Sequence, residues 1–105
     1  MPKYTSANVA ASATDSELVA AITERKIRVL AFFCVTGGTA TNVTFNSASS
    51  AISPLLANAA NGGAVFPYNP EGWFETSSGE ALTVTTGAGS TTGIQVVTKY
   101  IGVLP

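Results

Sequence analysis

The fold of this protein is decided by the segment Ile27-Arg-Val-Leu-Ala-Phe-Phe-Cys-Val35, which is apolar at every position except Arg28. Side chains alternate along a β-strand. One face of the strand should therefore carry Ile27, Val29, Ala31, Phe33 and Val35, and the other Arg28, Leu30, Phe32 and Cys34. One face can fill the core of a β-sandwich. Helices cover the second face in parallel α/β sheets, but this chain has few helical segments, so we predict a cover from another subunit.

Composition limits the size and the partners of the protein. The chain has 105 residues, the length of one domain. Charged residues make up 10% of it, against about 25% in ordinary soluble proteins. The net charge of −1 gives no basic field for nucleic acid and no polybasic patch for a membrane. We therefore expect protein partners, and neither nucleic acid nor membrane.

The pattern of strands and turns predicts an all-β domain. The segments 41–47 and 80–86 alternate between apolar and polar residues, and glycine-rich turns separate the strand-like segments. We count seven or eight short strands, which is typical of a single-domain antiparallel β-sandwich of jelly-roll type. Residues 1–15 are small and polar and are predicted to form an N-terminal arm or a short edge strand before the sandwich domain, 16–105.

Two segments leave the pattern ambiguous. Ser16 to Lys26 fits a capped helix, because Thr14 and Glu17 match a capping box, and it also fits a strand in a hairpin with Ile27–Val35. The strand is preferred. In the last strand, Ile94 to Leu104, the apolar positions change face, which indicates a β-bulge near Val96–Val97 or burial on both faces.

The sequence offers little equipment for catalysis or metal binding. It has no histidine, and its one cysteine, Cys34, can form neither an internal disulfide nor a cysteine zinc site. We therefore expect no catalytic, cofactor-binding or metal-binding residues. The N-terminus has no apolar signal core, so we expect synthesis in the cytoplasm.

Carboxylates and aromatic residues are the remaining candidates. A glycosidase would need two carboxylates beside aromatic platforms, and Glu71, Glu75 and Glu80 lie near Tyr68 and Trp73 in sequence. We interpret the three glutamates as solvated loop charges. Trp73 and Phe74 either contact a ligand or partner, together with Tyr68, or plug the open end of the sandwich.

One charge run, Glu24-Arg25-Lys26 with Arg28, is either a solvated turn or an ionic contact with an acidic partner. In the second interpretation Arg25 and Lys26 belong to the partner contact.

Three segments, taken in order, resemble small virion proteins of tailed bacteriophages, of the capsid decoration (cement) and head-fibre kind. The first is Glu17-Leu-Val-Ala-Ala-Ile22 with Lys26-Ile-Arg-Val-Leu30, and the second is Val43-Thr-Phe-Asn-Ser47. The third is Gly72-Trp-Phe-Glu-Thr-Ser-Ser-Gly-Glu-Ala-Leu82, followed by Gly93 through Tyr100. Together they cover most of residues 15–104.

The resemblance implies a jelly-roll-like protein, usually a homotrimer, fixed on the outside of a phage head between hexamers of the major capsid protein. It implies no cofactor and no enzymatic activity. Within the oligomer, we expect the contact to use the face carrying Leu30 and Phe32, because Arg28 at its edge can reach solvent or an acidic partner. The alternative is a tail-fibre or adhesin-type module that binds a glycan or receptor through Tyr68, Trp73 and Phe74.

Overall fold

The structure is a computed structural model that describes residues 2–102. Within that range the chain forms ten β-strands and no helix, and thus no helix that could cross a membrane. The strands are β1 (Lys3–Val9), β2 (Ser16–Val19), β3 (Arg25–Thr36), β4 (Thr41–Ser47), β5 (Ser50–Ala51), β6 (Leu56–Asn58), β7 (Gly63–Phe66), β8 (Phe74–Glu75), β9 (Leu82–Thr86) and β10 (Thr92–Gly102).

The strands pair in a nested order, so that the chain folds back on itself like one long hairpin. β1 pairs with β10, β2 with β9, β3 with β7 and β8, and β4 with β5 and β6. Two further pairings, β10 with β3 and β4 with β9, roll this hairpin into two sheets. Every pairing is antiparallel, and this rolled double sheet is the arrangement of a jelly roll.

Each sheet contains five strands. Sheet A has the order β1-β10-β3-β7, with β8 also paired to β3, and sheet B has the order β2-β9-β4-β5, with β6 also paired to β4. The predicted antiparallel β-sandwich is therefore confirmed. The sequence suggested seven or eight strands because β5 and β8 have two residues each, too few to show an alternation.

The core lies between the inner faces of the two sheets. Its centre contains aromatic side chains, with the ring centroids of Phe32 and Phe45 4.7 Å apart and those of Phe32 and Phe66 4.4 Å apart. Aromatic and aliphatic contacts of this kind supply most of the folding free energy of a small domain. The buried apolar cluster comprises Val9, Leu18, Val19, Ile27, Val29, Phe32, Cys34, Val43, Phe45, Leu82, Val84, Ile94 and Val96.

A β-bulge in β3 decides which residues enter this core. Val97 of β10 lies opposite Ala31, while the next residue, Thr98, lies opposite Val29, so Leu30 is an extra residue in β3. The sequence predicted a bulge near Val96–Val97 in β10. The register does shift beside this position, between Val97 and Thr98, but the extra residue is in β3, and β10 alternates from Thr92 to Thr98. Because the extra residue reverses the alternation, Val29 and Phe32 both point inward, and Phe33 points outward.

One prediction about the N-terminal third needs correction, the edge-strand alternative for its first residues is confirmed, and the prediction for the last strand falls partly outside the described residues. β2 is a strand, as preferred, but it pairs with β9 of sheet B and not with β3. The segment predicted as an arm or edge strand contains β1, which forms the edge of sheet A through seven paired residues. The last strand ends at Gly102 in the described range, and the predicted residues Val103 and Leu104 lie outside it.

Candidate functional site

The outer face of sheet A carries an exposed group of apolar side chains, which we call the sheet A face. Two rows of paired residues cross β1, β10, β3 and β7, and a third crosses β1, β10 and β3. The residues are Tyr4, Ser6, Asn8, Ala31, Phe33, Val35, Gly63, Val65, Gly93, Gln95 and Val97. Four of them are large and solvent-exposed: Tyr4 at 73%, Phe33 at 45%, Val35 at 50% and Val65 at 76%. None of the eleven residues is charged.

Phe33 forms a ridge between two shallow open depressions on this face. One depression, of about 330 Å³, is lined mainly by polar and small residues, including Ser6, Asn8 and Gly93. The other, of about 160 Å³, is apolar and is lined by Ala31, Phe32, Phe33, Val65, Phe66, Gln95 and Val97. The face therefore presents a projecting ring and an apolar hollow next to each other.

The prediction that Leu30 and Phe32 form the oligomer contact needs correction. Both side chains are inside the subunit, Leu30 at 0% and Phe32 at 3% exposure. Phe32 belongs to the core cluster because of the bulge. Leu30 is buried but is not part of that cluster, and its carbonyl accepts a hydrogen bond from the Asn69 N–H. The large apolar side chains of β3 that are exposed are Phe33 and Val35, which the sequence assigned to the opposite face.

The aromatic loop, residues 67–74, divides its three predicted contact residues between the core and the surface. Phe74 is half-buried, and its ring lies 5.6 Å from that of Phe45. Tyr68 and Trp73 are exposed at 62% and 42%. The two interpretations of Trp73-Phe74 therefore apply to one residue each: Phe74 closes the sandwich, and Trp73 is available to a ligand or partner.

The position of Trp73 is fixed by several contacts. Its backbone N–H donates to the Val29 carbonyl at 2.8 Å, and its indole Nε1–H donates to the Pro67 carbonyl, also at 2.8 Å. Its ring meets that of Phe66 edge to face at 5.0 Å. Because the indole donor is already used, Trp73 can offer a ligand the surface of its ring but no hydrogen bond.

A row of basic residues, which we call the basic row, borders the sheet A face where β3 begins and β10 ends. It consists of Lys26, Arg28 and Lys99, and Arg28 lies directly opposite Lys99 in the pairing of β3 with β10. Glu75 is the carboxylate that pairs with this row, at 2.9 Å from the Arg28 guanidinium and 3.3 Å from the Lys26 ammonium. The row thus carries three cations for one paired carboxylate, and the neighbouring Arg25 is exposed.

The ionisation of Glu75 follows from these contacts. Partial burial acts to raise the pKa of Glu75, but hydrogen bonds from Arg28 and Lys26 and their positive charges lower it by more. The pKa of Glu75 therefore lies below its usual value, which is the reverse of what a catalytic acid needs. Lys26, predicted as a partner contact, is held in this ion pair, whereas Arg25 is not part of it.

The other carboxylates of the glycosidase alternative have separate surroundings. Glu80 accepts a hydrogen bond from the Ser47 hydroxyl, and Glu71 is exposed on the aromatic loop. Among residues 2–102 there is no group of three or more histidine, cysteine, aspartate or glutamate residues that could hold a metal ion. The three glutamates of the glycosidase alternative are therefore not brought together at one place.

Sequence reasoning missed the sheet A face because its members come from four strands. Tyr4, Phe33, Val65 and Gln95 are brought together by pairing registers that no local pattern specifies. One feature of the sequence did point to such a surface. A strand that is apolar on both faces predicts that one of its faces is not covered within the subunit. That feature predicts the existence of the surface but does not tell which residues form it.

Comparison with known proteins adds one structural likeness. No protein-family profile matches the chain, and no curated protein sequence matches it. The chain is similar to a chain in the cryo-EM structure of the virus-like particle of extra small virus from the giant freshwater prawn Macrobrachium rosenbergii. The sequences are 14% identical, the match covers 99% of this chain and 80% of that chain, and the TM-score is 0.43. A likeness at this level supports no inference about function.

Proposed function

We propose that this protein is a structural component of a virion, a decoration (cement) protein that binds and stabilises the outside of a tailed-bacteriophage head as an oligomer. Its partners are other copies of itself, in a homotrimer according to the resemblance, and the major capsid protein. It is synthesised in the host cytoplasm and resides on the capsid surface. It needs no cofactor and catalyses no reaction.

The observation that carries the proposal is the exposed sheet A face. Jelly rolls occur in viral capsid proteins, lectins and cupins, so the fold does not decide the function. Enzyme and small-ligand sites are concave and contain a few convergent polar groups. The sheet A face is broad and shallow, and contiguous exposed apolar surface of this kind is typical of protein–protein contacts. The three sequence segments that resemble phage decoration proteins point to the same class.

The basic row supplies a second contact, directed at the capsid. Arg28 and Lys99 are like charges directly opposite each other, an arrangement that is unfavourable in a sheet, and Glu75 compensates only part of the positive charge. A capsid surface with carboxylates would relieve the remainder. Because exposed charge pairs are screened by salt, binding to the capsid should weaken as the ionic strength rises.

The test is cosedimentation of the purified protein with expanded phage heads that lack decoration. The protein should bind to saturation at hundreds of copies per head and raise the temperature at which the head releases its genome. Lys99→Ser should reduce binding several-fold, because Lys99 belongs to the basic row and Glu75 pairs with the other two cations of the row. Asn42→Asp changes the net charge by the same amount on the opposite face of the sandwich, and it should bind like the wild type. Absence of saturable binding would reject the decoration function.

A tail-fibre or adhesin-type module is the second candidate, and the exposed rings of Tyr68 and Trp73 favour it. Aromatic rings of this kind can stack on a sugar. A glycan array should then give a specific signal that Trp73→Ala abolishes, and the virion should contain tens of copies or fewer. Binding to heads without any glycan signal would reject this candidate.

A further inference from the structure

The sheet A face carries both halves of a contact that a second copy of the same chain could complete. Phe33 projects from it with 45% of its surface exposed. Next to Phe33 lies the apolar depression of about 160 Å³, whose lining includes Ala31, Val65 and Val97. A two-fold contact buries the same patch on both subunits and therefore needs a surface that is complementary to itself. A ring beside a hollow meets this condition.

The size of the depression suits the ring. A closed apolar cavity of about 150 Å³ in another protein accepts benzene, which has the size of a phenylalanine ring. The depression beside Phe33 has a similar volume and an almost entirely apolar lining, with Gln95 as its polar member. Gln95 in turn accepts a hydrogen bond from the Ser6 hydroxyl on the neighbouring strand. The Ser6 hydroxyl and the Gln95 side-chain oxygen are thus already hydrogen-bonded to each other within one subunit.

The charges on this side of the sandwich agree with a pair of copies running antiparallel. The sheet A face has no charged residue, so two copies can approach without like-charge repulsion. The basic row lies at the Lys26–Arg28 end of β3, on one side of Phe33. In an antiparallel pair it falls beside the turn at Gly37 and Gly38 of the other copy, a segment without charge. A parallel pair would instead bring the two basic rows together.

The area of the face predicts a reversible contact. Four strands spaced about 4.8 Å apart and the five residues from Ala31 to Val35, at roughly 3.4 Å each, outline about 330 Å². One partner in a standard stable interface buries about 800 Å². The face is therefore about two fifths of that area, and we expect a weak, reversible contact with a dissociation constant in the micromolar range or above.

We propose that two copies of this protein associate through their sheet A faces, with Phe33 of each copy packed into the depression lined by Ala31, Val65 and Val97 of the other. This inference rests on the part of the proposed function that requires self-association and is independent of capsid binding. A two-fold contact through the sheet A faces joins copies in pairs, whereas the resemblance to phage decoration proteins implies homotrimers.

Sedimentation velocity over a range from about 1 to 200 μM tests the proposal. The wild type should shift from monomer to dimer, and the shift should change little between low and high salt because the contact is uncharged. Phe33→Glu should weaken association at least tenfold, because it places a carboxylate in the apolar hollow. Phe33→Leu should retain most of the association, and Asn42→Glu, on the outer face of sheet B, should associate like the wild type.

Circular dichroism and thermal unfolding of each variant check that the domain still folds, which we expect because Phe33 and Asn42 are exposed. A wild type that stays monomeric at 200 μM would overturn the inference, as would a trimer without a dimer. Unchanged association of folded Phe33→Glu would also overturn it. A monomer that binds phage heads would reject this contact and leave the decoration function in place. A dimer that does not bind heads would reject the decoration function and leave this contact in place.

Discussion

Replacing Phe32 or Phe33 with alanine should have very different effects on stability, although the two residues are identical and adjacent. The bulge at Leu30 turns Phe32 into the core, at 3% exposure, and Phe33 toward solvent, at 45%. Without the bulge, the strand pattern would place Phe33 on the same face as Ile27 and Val29. The pair of variants therefore tests the assignment of the two faces of β3.

The expected magnitudes follow from burial. An aromatic side chain buries about 150–250 Å², which at about 25 cal/mol per Å² corresponds to roughly 4–6 kcal/mol as an upper bound. Measured Phe→Ala costs in protein cores are about 3–5 kcal/mol, and we expect Phe32→Ala to fall in this range, since its ring packs against those of Phe45 and Phe66. Fully burying a phenylalanine side chain contributes roughly 1.5–3 kcal/mol by transfer alone, and Phe33 is only about half buried, so Phe33→Ala, which leaves no cavity, should cost about 1–1.5 kcal/mol.

Urea unfolding measured by circular dichroism gives the comparison. With a slope of about 1.5 kcal/mol per M urea, Phe32→Ala should lower the midpoint by roughly 2–3 M and Phe33→Ala by about 1 M. The protein concentration should be near 1 μM, so that association through the sheet A face does not contribute. If Phe33→Ala costs as much as Phe32→Ala or more, the reasoning about the bulge is refuted.

Three further predictions concern other parts of the fold. Asn46→Asp should lower the free energy of unfolding by about 1–3 kcal/mol, because buried Asn46 donates a hydrogen bond to the Asp15 carboxylate at 3.2 Å. Asn42 is exposed, so Asn42→Asp should change the free energy of unfolding by no more than about 0.5 kcal/mol in the same urea titration. Gly63→Ala should displace β7 and lower the thermal midpoint strongly, because a Cβ there would lie 1.9 Å from the Cys34 carbonyl oxygen, while Gly38→Ala meets no atom and should leave the midpoint nearly unchanged. The lowered pKa of Glu75 means that its ion pairs stabilise the fold above the usual value of 4.5 and are lost as the pH falls through the folded-state pKa. Thermal midpoints between pH 3 and 7 should therefore fall more steeply in the wild type than in Glu75→Gln, and parallel curves would contradict this account.

The sequence specified the fold class because its alternation is clear where one face meets solvent. In β4, Val43 and Phe45 are fully buried and Asn42 and Thr44 are more exposed, as the pattern predicted, whereas Asn46 departs from the alternation and is buried. β7 at the edge of sheet A likewise ends at Phe66, directly before Pro67, since proline is confined to the edges and ends of strands. In such segments the side-chain pattern alone defines the inward face.

The sequence could not specify the faces of β3, because a segment that is apolar at almost every position has no alternation to show where an extra residue sits. The same limit applies to pairing. Ser16 of β2 lies opposite Val84 of β9, a contact between distant residues, whereas the sequence favoured the nearest strand in the chain. The sheet A face depends on both features, so its residues became visible only with the pairing registers.

The most direct test of the proposed function is an electron cryo-microscopy map of undecorated, expanded phage heads incubated with the protein. The proposal predicts ordered density on the outside of the shell at equivalent positions between hexamers, with the sandwich oriented so that its basic row contacts the capsid. Heads that remain bare at saturating protein concentration, or density confined to tails, would contradict it.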